Sequence, residues 1–247
     1  MKKPNFVGKF WIFKTLMAVI LNIDTSTSVC SVALTAEGAV LAHREDFSGR
    51  NHAALLSGFI KECLDRARDL GLSLDAVSVS MGPGSYTGLR IGLSEAKGLA
   101  FALGLPLIGV DTLKLLAVSV MFSGIDLPDG VLFAPMIDAR RMEVFTAVYD
   151  LALNPVMEPT PLILEPDSYS EYLAKGPVLF FGDGSDKAKD VITSPNATFV
   201  PDIKPLAVDM LALSESAWAK RDFIDLAYST PWYRKDFQAS RPRNPLA

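Results

Sequence analysis

The sequence predicts an α/β protein built from one unit used twice, and three observations carry that reading. Short apolar runs of strand length alternate with segments whose apolar residues recur at helical spacing. An apolar strand ending in aspartate, then a polar turn and an alternating strand, occurs at residues 20–24 with 29–34 and again at 133–138 with 144–149. An apolar strand entering a glycine loop also occurs twice: residues 76–81 into Gly82-Pro83-Gly84-Ser85, and residues 178–181 into Gly182-Asp183-Gly184-Ser185. Both correspondences keep the same order along the chain, which marks an internal duplication.

Each element follows from its own pattern. Residues 19–23 are continuously apolar, as a strand buried on both faces requires. Asp24-Thr25-Ser26-Thr27-Ser28 makes a polar turn, and residues 29–35 alternate as a second strand. Glu37-Gly38 supplies a hairpin turn before a third strand over 40–47. Three antiparallel strands opening an α/β chain predict a ribonuclease-H-like half.

Residues 51–70 place Leu56, Ile60 and Leu64 in one row beside Leu55, Phe59, Cys63 and Ala67. That is an amphipathic helix, with Asn51 at its N-cap and Gly71 as its stop. The strand 76–81 and its loop lead into a helix over 89–103, closed by Gly104. A strand over 105–110 and a helix over 112–121 follow, and Pro128-Asp129-Gly130 breaks the chain. The second half ends in a helix over 206–220 and a basic, proline-containing tail. The expected domains are therefore a first lobe at 17–109, a second at 110–224 and a tail at 225–247.

Composition narrows the function. At 247 residues, with 49% hydrophobic and 21% charged residues, the chain has room and material for two cores. A net charge of -4 excludes a free-standing polyanion binder, so any RNA contact needs a local basic patch or a basic partner. Cys30 and Cys63 fall inside a strand and a helix, which predicts reduced, buried thiols in a cytoplasmic protein. In residues 1–16, lysines interrupt the aromatic residues, and the apolar run at 16–21 is too short to cross a bilayer. This lead is expected to lie outside the fold, with Met17 as the functional start.

The chemistry on offer is limited. His43 and His52 sit on different elements, and no Cys-x-x-Cys or His-Glu-x-x-His occurs, so a histidine-held catalytic metal is not expected. Ser85 and Thr87 lack a nucleophile elbow, and a peptidase triad would have to recruit one of two histidines. Asp24 at the end of the first strand is a candidate magnesium carboxylate, and Gly182 and Gly184 are candidate phosphate contacts or plain turn residues. The turn after Asp24 contains no glycine, which weakens a phosphate cradle there. Gly88, Gly92, Ala96 and Ala100 recur every four residues and give one smooth helix face, suited to close approach of a second helix from this chain or from a partner. Leu55 and Phe59 on the preceding helix extend that candidate surface. Arg90 is expected to neutralise a carboxylate, and Arg140-Arg141 to lie on the surface.

The strings Ile20-Leu21-Asn22-Ile23-Asp24-Thr25-Ser26-Thr27, Gly82-Pro83-Gly84-Ser85-Tyr86-Thr87-Gly88-Leu89-Arg90 and Gly182-Asp183-Gly184 together resemble the TsaB (YeaZ) family over residues 17–232. The resemblance implies two ribonuclease-H-like lobes of the actin-like ATPase (sugar kinase, Hsp70, actin) superfamily. It also implies a non-catalytic subunit of the bacterial machinery that attaches threonylcarbamoyl to adenosine 37 of tRNA. The implied partners are a TsaD-like catalytic subunit, bound through the helices at 51–70 and 89–103, and a TsaE-like ATPase. Transfer RNA joins only in the complex, where Arg234, Lys235, Arg241 and Arg243 are candidate contacts, and the isolated chain has a face able to form a homodimer. No cofactor is expected on this subunit, ATP and metal being handled by the partners. The alternative within the same superfamily is an independent ATP-dependent phosphotransferase with Asp24 on magnesium.

Overall fold

A computed structural model describes residues 18–49 and 51–233; residues 1–16, Met17, Arg234, Lys235, Arg241 and Arg243 lie outside the described residues. The first sheet contains β1 (Ile20–Asp24), β2 (Cys30–Ala36), β3 (Ala39–Asp46), β4 (Ala76–Gly82) and β5 (Leu107–Asp111), in the order β3-β2-β1-β4-β5. β1, β2 and β3 pair antiparallel, whereas β4 lies parallel to both β1 and β5. Helices α1 (His52–Asp69) and α2 (Tyr86–Leu103) connect β3 to β4 and β4 to β5. The second sheet contains β6 (Leu132–Asp138), β7 (Glu143–Tyr149), β8 (Pro155–Ile163), β9 (Val178–Phe181) and β10 (Ala197–Val200), in the order β10-β9-β6-β7-β8. Its pattern of directions is the same: β7 is antiparallel to β6 and β8, and β9 is parallel to β6 and β10. The duplication is therefore real, and Asp24 and Asp138 end equivalent strands.

The helix α3 (Thr112–Phe122) joins the lobes and is buried on most sides, as its predominantly apolar sequence, with apolar residues all round, demands. Leu113, Leu116 and Val120 pack with Phe133, Tyr149 and Phe181 of the second lobe. Leu115, on another side, packs with Ile20, Ala33 and Ile108 of the first.

Three expectations are corrected. The helix at 206–220 does not close the second lobe. It forms a 3-10 turn, Ala207–Met210, followed by α5 (Leu211–Lys220). Ala207 and Met210 cover Ile20, Ala33 and Ala76 on the first sheet, and the Ala207 N–H donates to Ser31 Oγ at 2.9 Å. That sheet face would otherwise be left in water, so the chain returns to the first lobe and the second lobe ends before residue 207. Nor are residues 225–233, the described part of the expected tail, separate from the first lobe. Ile224 N–H donates to Leu107 O at 2.9 Å, and Trp232 N–H to Met81 O at 2.7 Å. Lys97 Nζ donates to Ala227 O at 3.1 Å and Ser229 O at 2.7 Å. This strap covers the outer side of β5, an edge strand that would otherwise offer unpaired backbone groups.

The third correction is an omission. β8 carries Pro155, Pro159 and Pro161, which argue against a strand in sequence, yet it lies at a sheet edge, where missing N–H donors are tolerated. The helical cover of the second lobe is reduced. The counterpart of α1 is α4 (Ser170–Leu173), and the counterpart of α2 is a 3-10 turn, Asp186–Ala188. Pro166 on one side and Gly176-Pro177 on the other leave space for little more than one turn.

The strap gives a test. Trp232 packs partly buried against the first-lobe core, so Trp232→Ala is expected to lower stability by about 2 kcal/mol. A lowered midpoint in urea unfolding is the readout, and an unchanged midpoint would leave the strap without a stabilising role.

Candidate functional site: a cleft between the lobes and a helical groove

The opening glycine loop belongs to its helix. Ser85 is the N-cap of α2, its Oγ accepting from the Gly88 N–H at 3.2 Å, so the helix starts at Tyr86 and not at residue 89. A serine just before the helical period was the available signal. Gly104 closes the helix in the left-handed conformation, φ 66°, as its position predicted.

The smooth face of α2 points inward. Gly88, Gly92, Ala96 and Ala100 are buried, which corrects their assignment to a partner surface. What they receive is the turn after β1. Thr25 Oγ1 donates to Gly88 O at 2.8 Å, and Ser85 N–H donates to Ser26 O at 2.7 Å. A Cβ added at Gly84, Gly88 or Gly92 would overlap Ser26 O, Thr25 O or Thr25 Oγ1 respectively. The second close approach that the glycine spacing promised is thus made by a turn of the same chain, and α1 lies beside it.

Asp24 is sealed beneath that turn. It is fully buried, accepts from Ser26 Oγ at 2.8 Å and from Ser26 N–H at 3.3 Å, and has the Ser80 hydroxyl beside it. Burial outweighs these donors and pushes its carboxyl up to about 6. A magnesium carboxylate must face solvent and substrate, and Asp24 faces neither. Burial likewise raises the thiols of Cys30 and Cys63, to about 12 and about 11, and both are free and buried.

Between the lobes lies a cleft of about 780 Å³. One wall is the turn Ser26–Thr27–Ser28 with His52 and the first turn of α2; the other includes Asp138, Arg140, Phe145 and Asp183. His52 Nε2 lies 3.1 Å from both Thr27 O and Val29 O, so it donates to the turn and holds it to α1. Gly182 and Gly184 allow close packing on the end of β6: a Cβ at either would overlap Met136 O or the Ile137 carbonyl carbon. Of their loop, Asp183 is the residue that lines the cleft. Asp183 Oδ1 accepts from Asp138 N–H at 2.9 Å, and burial raises its carboxyl above the ordinary range. Among the described residues, no three His, Cys, Asp or Glu side chains converge as metal ligands.

Lys187, which the sequence reading passed over, organises the β6–β7 turn. Its Nζ pairs with Asp138 and donates to Arg141 O at 2.8 Å and Glu143 O at 2.5 Å. Arg140 and Arg141 are both exposed, and both adopt left-handed backbone, φ 71° and 52°. Among the described residues Arg90 meets no carboxylate: its guanidinium donates to Tyr86 OH at 2.7 Å and lies over that ring, while Tyr233 stacks on Tyr86 at 5.1 Å between centroids.

Outside the cleft, α1 and α2 leave a groove of about 560 Å³ lined by Ala53, Tyr86, Thr87, Arg90, Ile91, Ser94 and Glu95. Ser57 Oγ donates to Glu95 Oε1 across it at 2.6 Å. Leu55 is half-buried, and Phe59, also half-buried, packs against the first-lobe core.

Two ribonuclease-H-like lobes facing each other across a cleft define the architecture of the actin-like ATPases. Comparisons with known proteins then place the chain within it. A family model described as TsaD, tRNA N6-adenosine threonylcarbamoyltransferase, matches residues 45–158. The chain is 32% identical to the tRNA threonylcarbamoyladenosine biosynthesis protein TsaB of Escherichia coli over 88% of its length and 94% of that protein. It is 33% identical to the TsaB protein of Bacillus subtilis, over 70% of its own length and 74% of the relative. The solved structure of YeaZ from Pseudomonas aeruginosa superposes with a TM-score of 0.74 at 28% identity, covering 88% of this chain and 100% of that one. The chain belongs to the TsaB family. No helix among the described residues is long and apolar enough to cross a membrane.

Two tests follow from the packing. On α2, a Cβ at Gly88 meets backbone whereas one at Gly98 meets nothing within 4 Å. Gly88→Ala is therefore expected to cost about 2 kcal/mol or more, and Gly98→Ala to gain about 0.5–1 kcal/mol. Urea unfolding of the pair decides it; the same sign at both positions would refute the docking of the turn. The second concerns Asp24, whose folded pKa of about 6 lies above its ordinary 3.8. The folded state then binds the proton more tightly, so the stability it contributes is complete below pH 3.8 and is lost as pH rises through about 6. Asp24→Asn is expected to match the native chain near pH 4 and to exceed it by up to about 3 kcal/mol at pH 7. A stability difference that does not change between those pH values would contradict the sealed site.

Proposed function

We propose that this chain is an accessory, non-catalytic subunit of the machinery that puts threonylcarbamoyl on adenosine 37 of tRNA, acting in the cytoplasm by docking and steadying a TsaD-like catalytic subunit. Its relatives are named as tRNA threonylcarbamoyladenosine biosynthesis proteins, which supports the pathway. The observation that supports an accessory role most directly is the sealed Asp24, plugged by a turn that rests on α2. A phosphotransferase of this architecture needs that carboxylate open to a metal-bound nucleotide, and the alternative reading therefore lacks its central group. The docking face is the exposed side of the α1–α2 pair, where the groove offers a shallow surface for two helices of a related subunit. A TsaE-like ATPase and tRNA join the assembled pair, ATP and metal being held by the partners, and the same face serves a homodimer when the partner is absent.

Reconstitution tests the proposal. The chain alone is expected to modify no tRNA, and to restore modification when mixed with TsaD-, TsaC- and TsaE-like proteins, ATP, threonine and bicarbonate. Ser94, exposed in the groove and away from the core, provides the surface control: Ser94→Arg is expected to weaken the pair about tenfold or more by calorimetry. Normal pairing by that variant would move the docking face elsewhere. Calorimetry of the isolated chain with ATP and magnesium examines the phosphotransferase, which requires binding.

A further inference from the structure

We infer that the turn between β6 and β7 contacts the sugar–phosphate backbone of RNA, with Arg140 and Arg141 each placed against a phosphate. The inference rests on the proposed tRNA role and adds a surface to it. Three features of the turn support it. First, Arg140 and Arg141 are consecutive and both left-handed, φ 71° and 52°, a conformation that glycine or asparagine adopts with less strain. Second, the turn is rigidly held. Ala139 N–H donates to Glu143 O at 3.0 Å, Leu164 N–H to Met142 O at 2.7 Å, and Lys187 Nζ reaches Arg141 O and Glu143 O from inside. Third, the inner charge is used internally while the outer ones are not. Lys187 pairs with Asp138, whereas among the described residues neither guanidinium at 140 or 141 has a carboxylate partner.

The position favours a polyanion over a small nucleotide. Arg140 lines the cleft opposite the first turn of α2, so a phosphate there meets a guanidinium on one side and the positive end of an 18-residue helix on the other. Asp183 and Asp138, the latter paired with Lys187, line the same cleft as Arg140, and the Asp183 carboxylate repels a polyphosphate laid along that wall. With Asp24 sealed away, that carboxylate is not presented to a metal that would offset the repulsion. Arg141, exposed next to Arg140 and not among the residues lining the cleft, extends the contact outside it. Guanidinium groups suit this because they grip phosphate oxygens with paired, charge-assisted hydrogen bonds.

The test uses the chain assembled with its TsaD-like partner and measures tRNA affinity across a range of salt. The double variant Arg140→Ala/Arg141→Ala is expected to bind tRNA about tenfold more weakly. Its plot of log affinity against log salt should flatten by about one unit for each lost phosphate contact. Arg140→Gly relieves the left-handed strain, so its thermal midpoint should hold or rise while tRNA binding falls, separating contact from folding. An unchanged salt slope overturns the inference. So does a loss of mononucleotide binding with tRNA affinity intact, which would assign the arginines to a small nucleotide. Should the native chain fail to restore modification at all, the functional reading fails; if it restores modification while the arginine variants bind tRNA normally, only this inference does.

Discussion

Everything in the first lobe depends on one steric condition: α2 must present a face without side chains to the turn that follows β1. Thr25 and Ser26 lie against Gly84, Gly88 and Gly92 at distances that exclude any Cβ, and two hydrogen bonds, Thr25 Oγ1 to Gly88 O and Ser85 N–H to Ser26 O, fix the contact. Interiors packed to this density do not adjust gradually: an added methyl displaces backbone at Gly84 and Gly88, and at Gly92 the buried Thr25 side chain that bonds Gly88 O. The contact closes over Asp24, fixes Ser85 as the N-cap of α2, and brings α1 alongside through His52. A loop whose composition suggests an anion cradle is here a packing device, and the carboxylate beneath it is shut off from the cleft.

The two lobes show how one topology is put to unequal use. Their strand orders and directions correspond throughout, yet the first keeps two long crossover helices and the second keeps one short turn of helix and one 3-10 turn. In the first lobe the turn after the equivalent aspartate is neutral, and its first two residues, Thr25 and Ser26, are buried. In the second it is exposed and cationic, with Asp138 paired to Lys187 and two arginines carried outward. Duplication supplies the frame; loss of helix on one side and closure of the turn on the other divide the work.

Closure of the first sheet is completed from far along the chain. The 3-10 turn at Ala207–Met210 and helix α5 cover one face, and the strap from Ile224 to Tyr233 covers the β5 edge. Tyr233 of the strap stacks on Tyr86 at the margin of the α1–α2 groove, so the strap and the candidate docking surface meet at one aromatic pair.

Much of this architecture was legible in the sequence. Strand-length apolar runs, the repeated aspartate turn and the repeated glycine loop define the duplicated α/β topology, because periodicity and turn chemistry are local properties of the chain. The glycine spacing of α2 was also legible as a demand for close approach. Which neighbour meets that demand was not: Gly88, Gly92, Ala96 and Ala100 suit a partner helix as well as the Thr25–Ser26 turn, and the contact between the turn and Gly88 spans 63 positions. The proline-bearing β8, the return of residues 207–233 to the first lobe and the clamp of Lys187 on the β6–β7 turn have the same origin. Each is decided by which faces and edges remain uncovered once the sheets form, and that is a property of the assembled structure. The sequence by itself determined the elements and their repetition; tertiary packing decided that Asp24 would be sealed and Arg140 and Arg141 exposed.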